Sequence, residues 1–341
     1  MEGKRDKLRI SLEDVARLSG VSTATVSRVL NGNVNVRESR KAAVEDACRQ
    51  LGYVVNRAAS TLASRKSMTI GVVVPMLSME PFARVIDAFQ EPIHQQGYTL
   101  LLANAGFDTH SQPGAVNKLL GYGADALMFL GNHPHSGMWD QVLRHNIPFT
   151  QVIAVDRRYP GIDYDSLEAS CELLRHLTEL GHTKFAIISG ELSAIHPSSA
   201  FIRSISAGLC EAGLLPGAEN CIKNVSTVND ARQAFFRLLE GEEPPTAIIC
   251  DSDRLASGVI RAAAEYGLRI PEDISITGFY DYEYAEYSEP ELTTIRIDPA
   301  KAGRLAAGYL LASLRGESPA HWQSVAAKLI IRNSTGIASR P

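Results

Sequence analysis

Residues 11–31 read SLEDVARLSGVSTATVSRVLN, and this stretch decides how the first part of the chain folds. A capping box of the form S-x-x-D, made by Ser11 and Asp14, begins one amphipathic helix, and Gly20 ends it. Ser22 then caps a second short helix. Two short helices joined by such a turn form a helix-turn-helix, which places the amino-terminal end of its second helix in the major groove of DNA. The stretch therefore predicts an element that reads DNA.

The apolar positions of these two helices predict which side chains remain exposed. In the first helix the apolar stripe is formed by Leu12, Val15, Ala16 and Leu18. In the second, the core-facing side chains are Val21, Val26, Val29 and Leu30, and the exposed ones are Thr23, Ala24, Ser27 and Arg28. Arg28 suits a bidentate contact with guanine O6 and N7, and Thr23 and Ala24 suit a thymine methyl group. Taken alone, the motif is equally typical of ordinary solvent-exposed helix residues.

The charge of the chain is unevenly distributed. Residues 1–66 contain 13 Lys and Arg against 7 Asp and Glu, a net charge of +6, whereas the remaining residues contain 21 against 31, a net charge of −10. A basic segment on an acidic chain indicates a polyanionic partner for that segment alone, because concentrated Lys and Arg gain affinity by releasing counterions from phosphates. We therefore expect nucleic acid to bind the first segment.

Length and composition argue against several other classes of protein. With 341 residues, of which 45% are hydrophobic and 21% charged, the chain suits two or three globular domains. The amino terminus is charged and no run of about 18 apolar residues occurs, so we expect no secretory signal, no membrane partner and a cytoplasmic location. The five cysteines are odd in number and widely spaced, which indicates reduced thiols. No nucleotide-binding loop or nucleophile motif follows a predicted strand, so neither an enzyme nor a cofactor is expected.

The next segment carries a family signature. A third amphipathic helix is predicted from about Ser39 to Leu51, followed by Gly52-Tyr53 and residues 56–66. Together with residues 11–31 it resembles the LacI family of bacterial transcription regulators, whose members carry D-V-A-x-x-x-G-V-S-x-x-T-V-S-R-x-L-N and then L-G-Y-x-x-N-x-x-A-x-x-L. The matching positions are Asp14, Val15, Ala16, Gly20, Val21, Ser22, Thr25, Val26, Ser27, Arg28, Leu30, Asn31, Leu51, Gly52, Tyr53, Asn56, Ala59 and Leu62.

The resemblance implies roles in DNA binding for individual residues. In the family, residues 57–64 form a hinge helix that orders when two protomers bind an operator, and the residue at Leu62 inserts into a central C-G step of the minor groove. Such an apolar wedge costs roughly a few kcal/mol of unstacking and bends the duplex. The implied DNA contacts are Leu12, Ser22, Thr23, Ala24, Thr25, Ser27, Arg28, Asn31, Tyr53, Asn56, Arg57, Ala59 and Leu62. Arg37 departs from the family's Ser or Thr cap: either it contacts phosphate, or the third helix begins later, at Ser39.

After Ser67 the chain alternates short apolar runs with helical stretches. The runs predicted to be strands are 69–74, 98–103, 124–131, 148–153, 185–189, 247–250 and 274–279. Alternation of this kind forms parallel sheets flanked by helices. Two such units begin at Ile70 and Phe185, and the last apolar stretches, 292–297 and 328–331, would complete the second sheet or cross back.

The resemblance extends over this second part of the chain. The body of the family resembles periplasmic sugar-binding proteins, with two α/β lobes, three crossovers and a ligand in the cleft at the carboxyl ends of the strands. It implies an α/β fold: an all-α helix-turn-helix head plus two doubly wound parallel-sheet lobes. The expected domains are a DNA-binding domain at 1–55, a hinge helix and linker at 56–67, and a two-lobed effector-binding and dimerisation domain at 68–341.

The expected ligand pocket departs from the family where a sugar would be held. Sugar-binding members usually have Asn, Arg, Asn and Asp where this chain has Met79, Phe201, Ser252 and Tyr280. Those groups hold hydroxyls by hydrogen bonds, so their loss predicts a different ligand, a different pose or a cleft without an effector. Phe82 is retained and could stack on the apolar face of a ring. The residues expected to bind an effector are Met76, Met79, Phe82, His133, Phe201, Ser252 and Tyr280.

Three other groups of residues have simpler interpretations. His133-Pro134-His135 lack a third ligand at metal spacing, so no metal site is expected. The acidic residues that resemble an acid-base set occur in the family without catalysis; they are Asp251, Asp253 and Asp281. An aromatic cluster is predicted to pack as a loop against its lobe, with ligand stacking as the alternative; it contains Tyr280, Tyr282, Tyr284 and Tyr287.

These observations predict a homodimeric transcription regulator, a repressor of a carbohydrate or sugar-acid catabolic operon. It would bind a near-palindromic double-stranded operator with a central C-G step and respond to a sugar or sugar acid held between its lobes. The alternative is a small-molecule-binding protein whose basic head binds DNA without sequence specificity. An α/β enzyme is a third hypothesis, which the missing nucleophile and cofactor motifs argue against.

Overall fold

The computed structural model describes residues 10–30, 36–54, 66–106, 111–131, 136–153, 156–190 and 198–339. The chain forms two compact units, Met1–Met68 and Thr69–Pro341. We call the first unit the head and the second the body. No described helix is long and apolar enough to cross a membrane.

The described part of the head contains three helices, α1 (Leu12–Ser19), α2 (Thr23–Leu30) and α3 (Glu38–Leu51). The predicted capping box is present: the Asp14 amide donates to Ser11 Oγ, and the Ser11 amide donates to Asp14 Oδ2 over 2.9 Å. Gly20 ends α1 in the left-handed conformation, with φ of 67°, which glycine adopts without a steric penalty. The Thr25 amide donates to Ser22 Oγ, which caps α2 as expected.

A small apolar core holds the three helices together. Its fully buried members are Val15, Ala16, Val26, Val44 and Ala47, and side chains of both predicted stripes pack around them. Leu18 is the exception: it was assigned to the stripe of α1, but half of its surface is exposed because it lies off the face that meets α3. Helix α3 begins at Glu38, one residue before the approximate predicted start at Ser39, and Arg37 occupies the cap position without a side-chain cap hydrogen bond.

The first lobe of the body, which we call the N-lobe, is built on a six-stranded sheet. Its strands are β1 (Thr69–Val74), β2 (Thr99–Asn104), β3 (Ala126–Leu130), β4 (Phe149–Val152), β5 (Gly161–Asp165) and β11 (Trp322–Ala326). They lie in the order β11-β5-β4-β3-β1-β2, and all neighbours are parallel. The helices of this lobe are α4 (Glu80–Gln95), α5 (Gln112–Gly121), α6 (Ser136–His145) and α12 (Pro299–Leu314).

The second lobe, the C-lobe, has a four-stranded parallel sheet in the order β7-β6-β8-β9. These strands are β6 (Phe185–Ile188), β7 (Cys221–Ile222), β8 (Ala247–Cys250) and β9 (Ser275–Thr277). Its helices are α7 (Leu167–Glu179), α8 (Ser198–Glu211), α9 (Val228–Leu239), α10 (Asp253–Tyr266) and α11 (Glu283–Glu286). A separate antiparallel pair is formed by β10 (Thr294–Arg296) and β12 (Lys328–Ile330).

The chain passes between the lobes three times. It leaves the N-lobe after β5, returns between β10 and α12, and leaves again between β11 and β12. The first and third crossovers run side by side, because the Ala327 amide donates to the carbonyl oxygen of Asp165 over 2.9 Å. The α/β fold with a helical head and two parallel-sheet lobes is therefore confirmed. The stretch at 292–297 lies beside the end of β9, through parallel bridges such as Thr277–Thr293, and then leads into the second crossover.

Polar side chains secure the end of the chain to the C-lobe. His182 is 2% exposed; its Nδ1 lies 2.9 Å from Thr246 Oγ1, and its Nε2 lies 2.9 Å from Ser275 Oγ. The Gly336 amide donates to the same Ser275 hydroxyl. Ser334 donates through its hydroxyl to the Ile276 carbonyl over 2.6 Å. Ser334 and Gly336 therefore provide hydrogen-bond partners for buried polar groups of Ser275 and Ile276 in β9.

Two helices of the N-lobe approach each other closely at Gly303, in the middle of α12. A Cβ atom placed there would lie 2.3 Å from the carbonyl oxygen of Val85 on α4 and 3.1 Å from the amide of Phe89. Neither neighbour is a flexible side chain, so the helices would have to separate. Gly308 lies on the exposed face of the same helix, and a Cβ atom there meets nothing within 4 Å.

Gly303→Ala should therefore destabilise the body by about 1–3 kcal/mol through overpacking. Gly308→Ala is the matched control and should be neutral or stabilising by up to about 1 kcal/mol, because alanine has the higher helix propensity. Urea unfolding followed by circular dichroism measures both values. Equal effects of the two substitutions would show that the α4–α12 contact is not tight at Gly303.

Candidate functional site

The second helix of the head presents a row of small polar side chains and one arginine. Thr23, Ala24 and Arg28 are exposed, whereas Ser27 is half-buried. The Ser22 and Thr25 hydroxyl oxygens lie 2.9 Å apart and belong to the helix cap. Small side chains let a helix approach another surface closely, so the exposed face of α2 can enter a groove.

Ion pairing distinguishes Arg28 from several other cations of the head. Arg17 pairs with Asp14, Lys41 lies 3.6 Å from Glu38, and Arg49 lies 2.7 Å from Asp46. The side chains of Arg28, Arg37 and Arg40 are exposed and make no ion pair or hydrogen bond with the residues that the structure describes. These three guanidinium groups are available to an external anion.

Two residues predicted to bind DNA are half-buried against the head core in the structure, and five others lie outside the described residues. Leu12 and Tyr53 are half-buried and pack against the head core. Those outside the described residues are Asn31, Asn56, Arg57, Ala59 and Leu62. Contacts of all these residues with DNA stay predictions.

In the body, the N-lobe residues predicted to bind an effector lie at the carboxyl end of β1. Met76 is 38% exposed, and Met79 is half-buried at the cap position of α4. Phe82, one turn into α4, is 1% exposed, and a Cβ atom at Gly131 would lie 2.7 Å from its ring. Phe82 therefore packs across the end of β3 and offers no free ring face in this conformation. His133 lies outside the described residues.

The corresponding C-lobe residues form a series of aromatic rings. Phe201 stacks on Phe279 with centroids 4.6 Å apart, and Phe279 meets Tyr280 edge to face at 4.7 Å. Tyr280 stacks on Tyr282 at 5.3 Å, and Tyr282 contacts Tyr284 at 5.5 Å. Exposure rises along the series from 0% at Phe201 to 40% at Tyr284. The structure thus brings Phe201 and Tyr280 together, and the two outer tyrosines offer the accessible ring surface.

Ser252 and Asp253 lie between β8 and this aromatic series. Ser252 Oγ accepts from the Leu255 amide and so caps α10. Asp253 is fully buried; its Oδ1 accepts from the Thr294 hydroxyl over 2.5 Å, and its Oδ2 accepts from the Tyr282 amide over 2.7 Å. Burial raises the pKa of the Asp253 carboxyl to about 7. Asp253 therefore holds the loop of Tyr282 against β10.

The same loop is fixed a second time by Asp281. Its carboxylate lies 2.5 Å from Arg296 Nε and 2.7 Å from Arg332 Nη2. Arg296 belongs to β10, before the second crossover, and Arg332 follows β12, after the third. Tyr280 and Asp281 both have positive φ angles, 105° and 56°, which non-glycine residues rarely adopt. The two ion pairs join this strained turn to the strands that connect the lobes.

Glu80 of the N-lobe faces the tyrosines of the C-lobe. Burial raises the pKa of Tyr282 and of Tyr284, and the negative charge of Glu80 adds to the effect on both phenols. Glu80, Arg296 and Arg332 were not among the residues predicted from the sequence. The position of Glu80 at a helix start that directly follows Met79 was the available signal; the arginines gave none. Glu80 and the two outer tyrosines therefore bring a carboxylate and aromatic rings together where the lobes meet.

The remaining chemically reactive groups are the acidic residues, histidines and cysteines of the described ranges. No set of three His, Cys, Asp or Glu residues suited to a metal ion occurs within the described ranges. All five cysteines are free thiols. Asp251 accepts the Gly190 amide through Oδ2 over 2.7 Å, which is a loop-fixing role like that of Asp253.

Comparison with protein families gives two matches. Residues 11–56 match the model described as bacterial regulatory proteins, lacI family, and residues 174–335 match that of a periplasmic binding protein-like domain. The transcriptional repressor PurR of Haemophilus influenzae (strain PittEE) is 30% identical over 332 residues, which are 95% of this chain and 98% of the relative. Catabolite control protein A of Priestia megaterium is 29% identical over 290 residues, 84% of this chain and 87% of the relative.

Solved structures agree with these matches. The Lac repressor dimer bound to operator and the anti-inducer ONPF superimposes with a TM-score of 0.85 at 27% identity, covering 96% of this chain and 99% of that chain. The complex of the transcriptional regulator CelR with cellobiose gives a TM-score of 0.70 at 25% identity, covering 96% of this chain and 100% of that chain.

The buried carboxyl of Asp253 predicts a pH dependence of stability. Its pKa is about 7 in the folded state against an ordinary value of 3.8, so the folded protein retains a proton that the unfolded chain has released between these two values. Stability that depends on this group is therefore lost as pH rises from about 4 to 7. Asp253→Asn removes the titration, and its unfolding free energy relative to wild type should rise by about 2–4 kcal/mol from pH 4 to pH 8.

Chemical denaturation at several pH values measures this difference. Asp87→Asn, at an exposed position on α4, is the matched control and should follow the wild type at every pH. A difference between Asp253→Asn and wild type that does not change with pH would contradict the assignment of the proton to Asp253.

Proposed function

The chain belongs to the LacI family of bacterial transcription regulators, and from this membership we propose that it acts as a homodimeric repressor whose affinity for an operator is set by a small molecule bound between its lobes. The relatives named above are DNA-binding regulators rather than enzymes. The observation that carries the proposal is Arg28, which is exposed and pairs with none of the described residues, on a helix that otherwise presents small side chains.

We propose that residues 1–55 bind DNA, that 56–67 form the hinge helix and linker, and that 68–341 bind the effector and a second copy of the chain. Arg28 would read a guanine, while Arg37 and Arg40, which pair with no residue in the described ranges, would contact phosphates. The full set of proposed DNA contacts is Leu12, Ser22, Thr23, Ala24, Thr25, Ser27, Arg28, Asn31, Tyr53, Asn56, Arg57, Ala59 and Leu62. A near-palindromic operator follows from the two-fold symmetry of a dimer.

The proposed effector is a sugar or sugar acid, and the regulated genes belong to a carbohydrate or sugar-acid catabolic operon. Tyr282 and Tyr284 support this ligand class, because a pyranose has an apolar face that packs on aromatic rings. Glu80 would accept hydrogen bonds from hydroxyls. The other proposed contacts are Met76, Met79, Phe82, His133, Phe201, Ser252 and Tyr280, of which Phe82 and Phe201 would act as second-layer support for the exposed rings.

The coupling between effector and operator would run through the crossovers. A ligand that shifts the loop of Tyr280 and Tyr282 would also move Asp281, and so change its ion pairs with Arg296 and Arg332. Those arginines flank two of the three connections between the lobes, so the angle between the lobes changes with occupancy. A difference in effector affinity between two lobe arrangements is what makes such coupling possible.

Arg28→Ala should weaken binding to a specific operator by roughly 1–3 kcal/mol and leave binding to unrelated DNA nearly unchanged, because it removes a base contact. Arg49→Ala removes the same charge from a residue already paired with Asp46, and should change both affinities little. Fluorescence anisotropy with palindromic duplexes that carry a central C-G step, at several salt concentrations, measures these affinities. An operator affinity that survives Arg28→Ala intact would refute the assignment of α2 as the reading helix.

The same assay tests the effector when sugars, sugar acids and their phosphates are added to the protein–operator complex. One compound should release or strengthen operator binding, and Tyr284→Ala should weaken that response without altering operator affinity in its absence. Salt-dependent binding without sequence preference, unaffected by every compound, would instead support a small-molecule-binding protein with a non-specific basic head.

A further inference from the structure

The C-lobe contains a cavity that the proposed effector site does not use. It has a volume of about 220 Å³ and lies between β6, β7 and α8, at the edge of the four-stranded sheet. For comparison, a buried cavity of about 150 Å³ accommodates benzene. We call this cavity the side pocket, and it is large enough for a small organic molecule.

One part of the side pocket is apolar. Ile187 of β6 and Ile202 of α8 contribute branched aliphatic side chains, and Leu215, which is 49% exposed, and Pro216 lie in the turn after α8. These groups would contact the hydrocarbon part of a ligand and remove it from water. The partial exposure of Leu215 shows that the pocket is open to solvent.

The remaining part of the lining carries the polar side chains of Ser189, Ser206, Cys221 and Lys223. Ser189 is 2% exposed, yet its hydroxyl makes no hydrogen bond with any residue that the structure describes. The Ser206 hydroxyl and the Lys223 ammonium group likewise have no partner within the described ranges. Donors that no described residue engages are available to a ligand that enters the pocket.

The charge of the lining selects the chemistry of the ligand. Lys223 is the charged residue of this pocket, and no carboxylate is among its lining residues. We propose that the side pocket binds a small monocarboxylate with an apolar body, whose carboxylate pairs with Lys223 and accepts hydrogen bonds from Ser189 and Ser206. An ammonium and two hydroxyls are all donors, which a carboxylate with its four lone-pair positions can satisfy together.

The side pocket is distinct from the region between the lobes but shares a helix with it. Ile202 and Ser206 lie one turn apart on the same face of α8. Phe201, on the neighbouring face of that helix, is fully buried and stacks on Phe279 of the aromatic series. A ligand in the side pocket would therefore contact the helix that supports the aromatic series from behind.

Cys221 makes occupancy of the side pocket measurable. Its thiol is half-buried and lines the pocket, whereas Cys171 and Cys210 are exposed and lie outside its lining. Burial raises the pKa of Cys221, and the nearby charge of Lys223 opposes that effect. Alkylation with iodoacetamide near pH 8.5, followed by mass spectrometry of the peptides, reports the reactivity of each cysteine separately.

Benzoate is the probe, and benzamide is its neutral control of nearly the same shape. With the purified full-length protein, benzoate should slow alkylation of Cys221 about threefold or more at a concentration on the order of 10 mM, since so small a ligand binds with millimolar affinity. Alkylation of Cys171 and Cys210 should not change. Benzamide should protect Cys221 about tenfold more weakly, because it lacks the charge that pairs with Lys223.

Two variants test whether the protection of Cys221 by benzoate depends on Lys223. Lys223→Gln, at an exposed position, should weaken protection by benzoate about tenfold, whereas Lys118→Gln, at an exposed position of the N-lobe, should leave it unchanged. Absence of protection at Cys221, equal protection by benzamide, or full protection in Lys223→Gln would each overturn the proposal. Equal slowing at all three cysteines would also overturn it, because benzoate would then act on the reagent or the whole protein.

Discussion

The buried carboxylate of Asp281, held between Arg296 and Arg332, is the interaction on which the arrangement of the body depends. Its partners come from strands next to two different crossovers, so one side chain ties the loop after β9 to two of the connections between the lobes. Removing Asp281 would leave the buried Arg332 guanidinium without its counter-charge, and breaking a buried ion pair in this way costs about 3–5 kcal/mol. That cost is large enough to hold Tyr280 and Asp281 at positive φ angles that their side chains disfavour.

The sequence predicted the fold wherever the local pattern and the tertiary structure agree. Fully apolar runs such as β3 and β8 are buried on both faces, as strands inside a parallel sheet must be, and their bounds were predicted to within two residues. Strands β5 and β11 were missed. Both contain polar residues, β11 forms the edge of the N-lobe sheet, and β5 lies next to it. They pair with each other across more than half of the body, a separation that no local pattern reveals.

The candidate sites were predictable to a different degree in the two units. In the head, caps and apolar periodicity determine which face of α2 is exposed, so Thr23, Ala24 and Arg28 could be identified from sequence alone. In the body, the predicted end of a strand indicates where the cleft lies, but it does not show which side chains there are buried. Phe82 and Phe201 follow strands of the cleft, as expected, yet both are buried by neighbours distant in sequence. Tyr282 and Tyr284 were predicted to pack as part of a loop against the lobe. In the structure they are the members of the aromatic series whose rings are most accessible.

The aromatic series also explains how a cleft could bind a polar ligand after losing the side chains that usually hold hydroxyls. Each of the inner rings is fixed by the next, so Tyr282 and Tyr284 are held in place in advance and would lose little conformational freedom on binding the proposed effector. Asp253 secures the backbone of Tyr282, and Asp281 secures the turn before it. A rigid aromatic surface selects ligands by the shape of their apolar face, whereas amide and guanidinium groups select them by the directions of their hydroxyls. In the proposed effector site, Tyr282 and Tyr284 would therefore distinguish ring-shaped ligands mainly by stacking. Glu80 would orient the ligand through its hydroxyls.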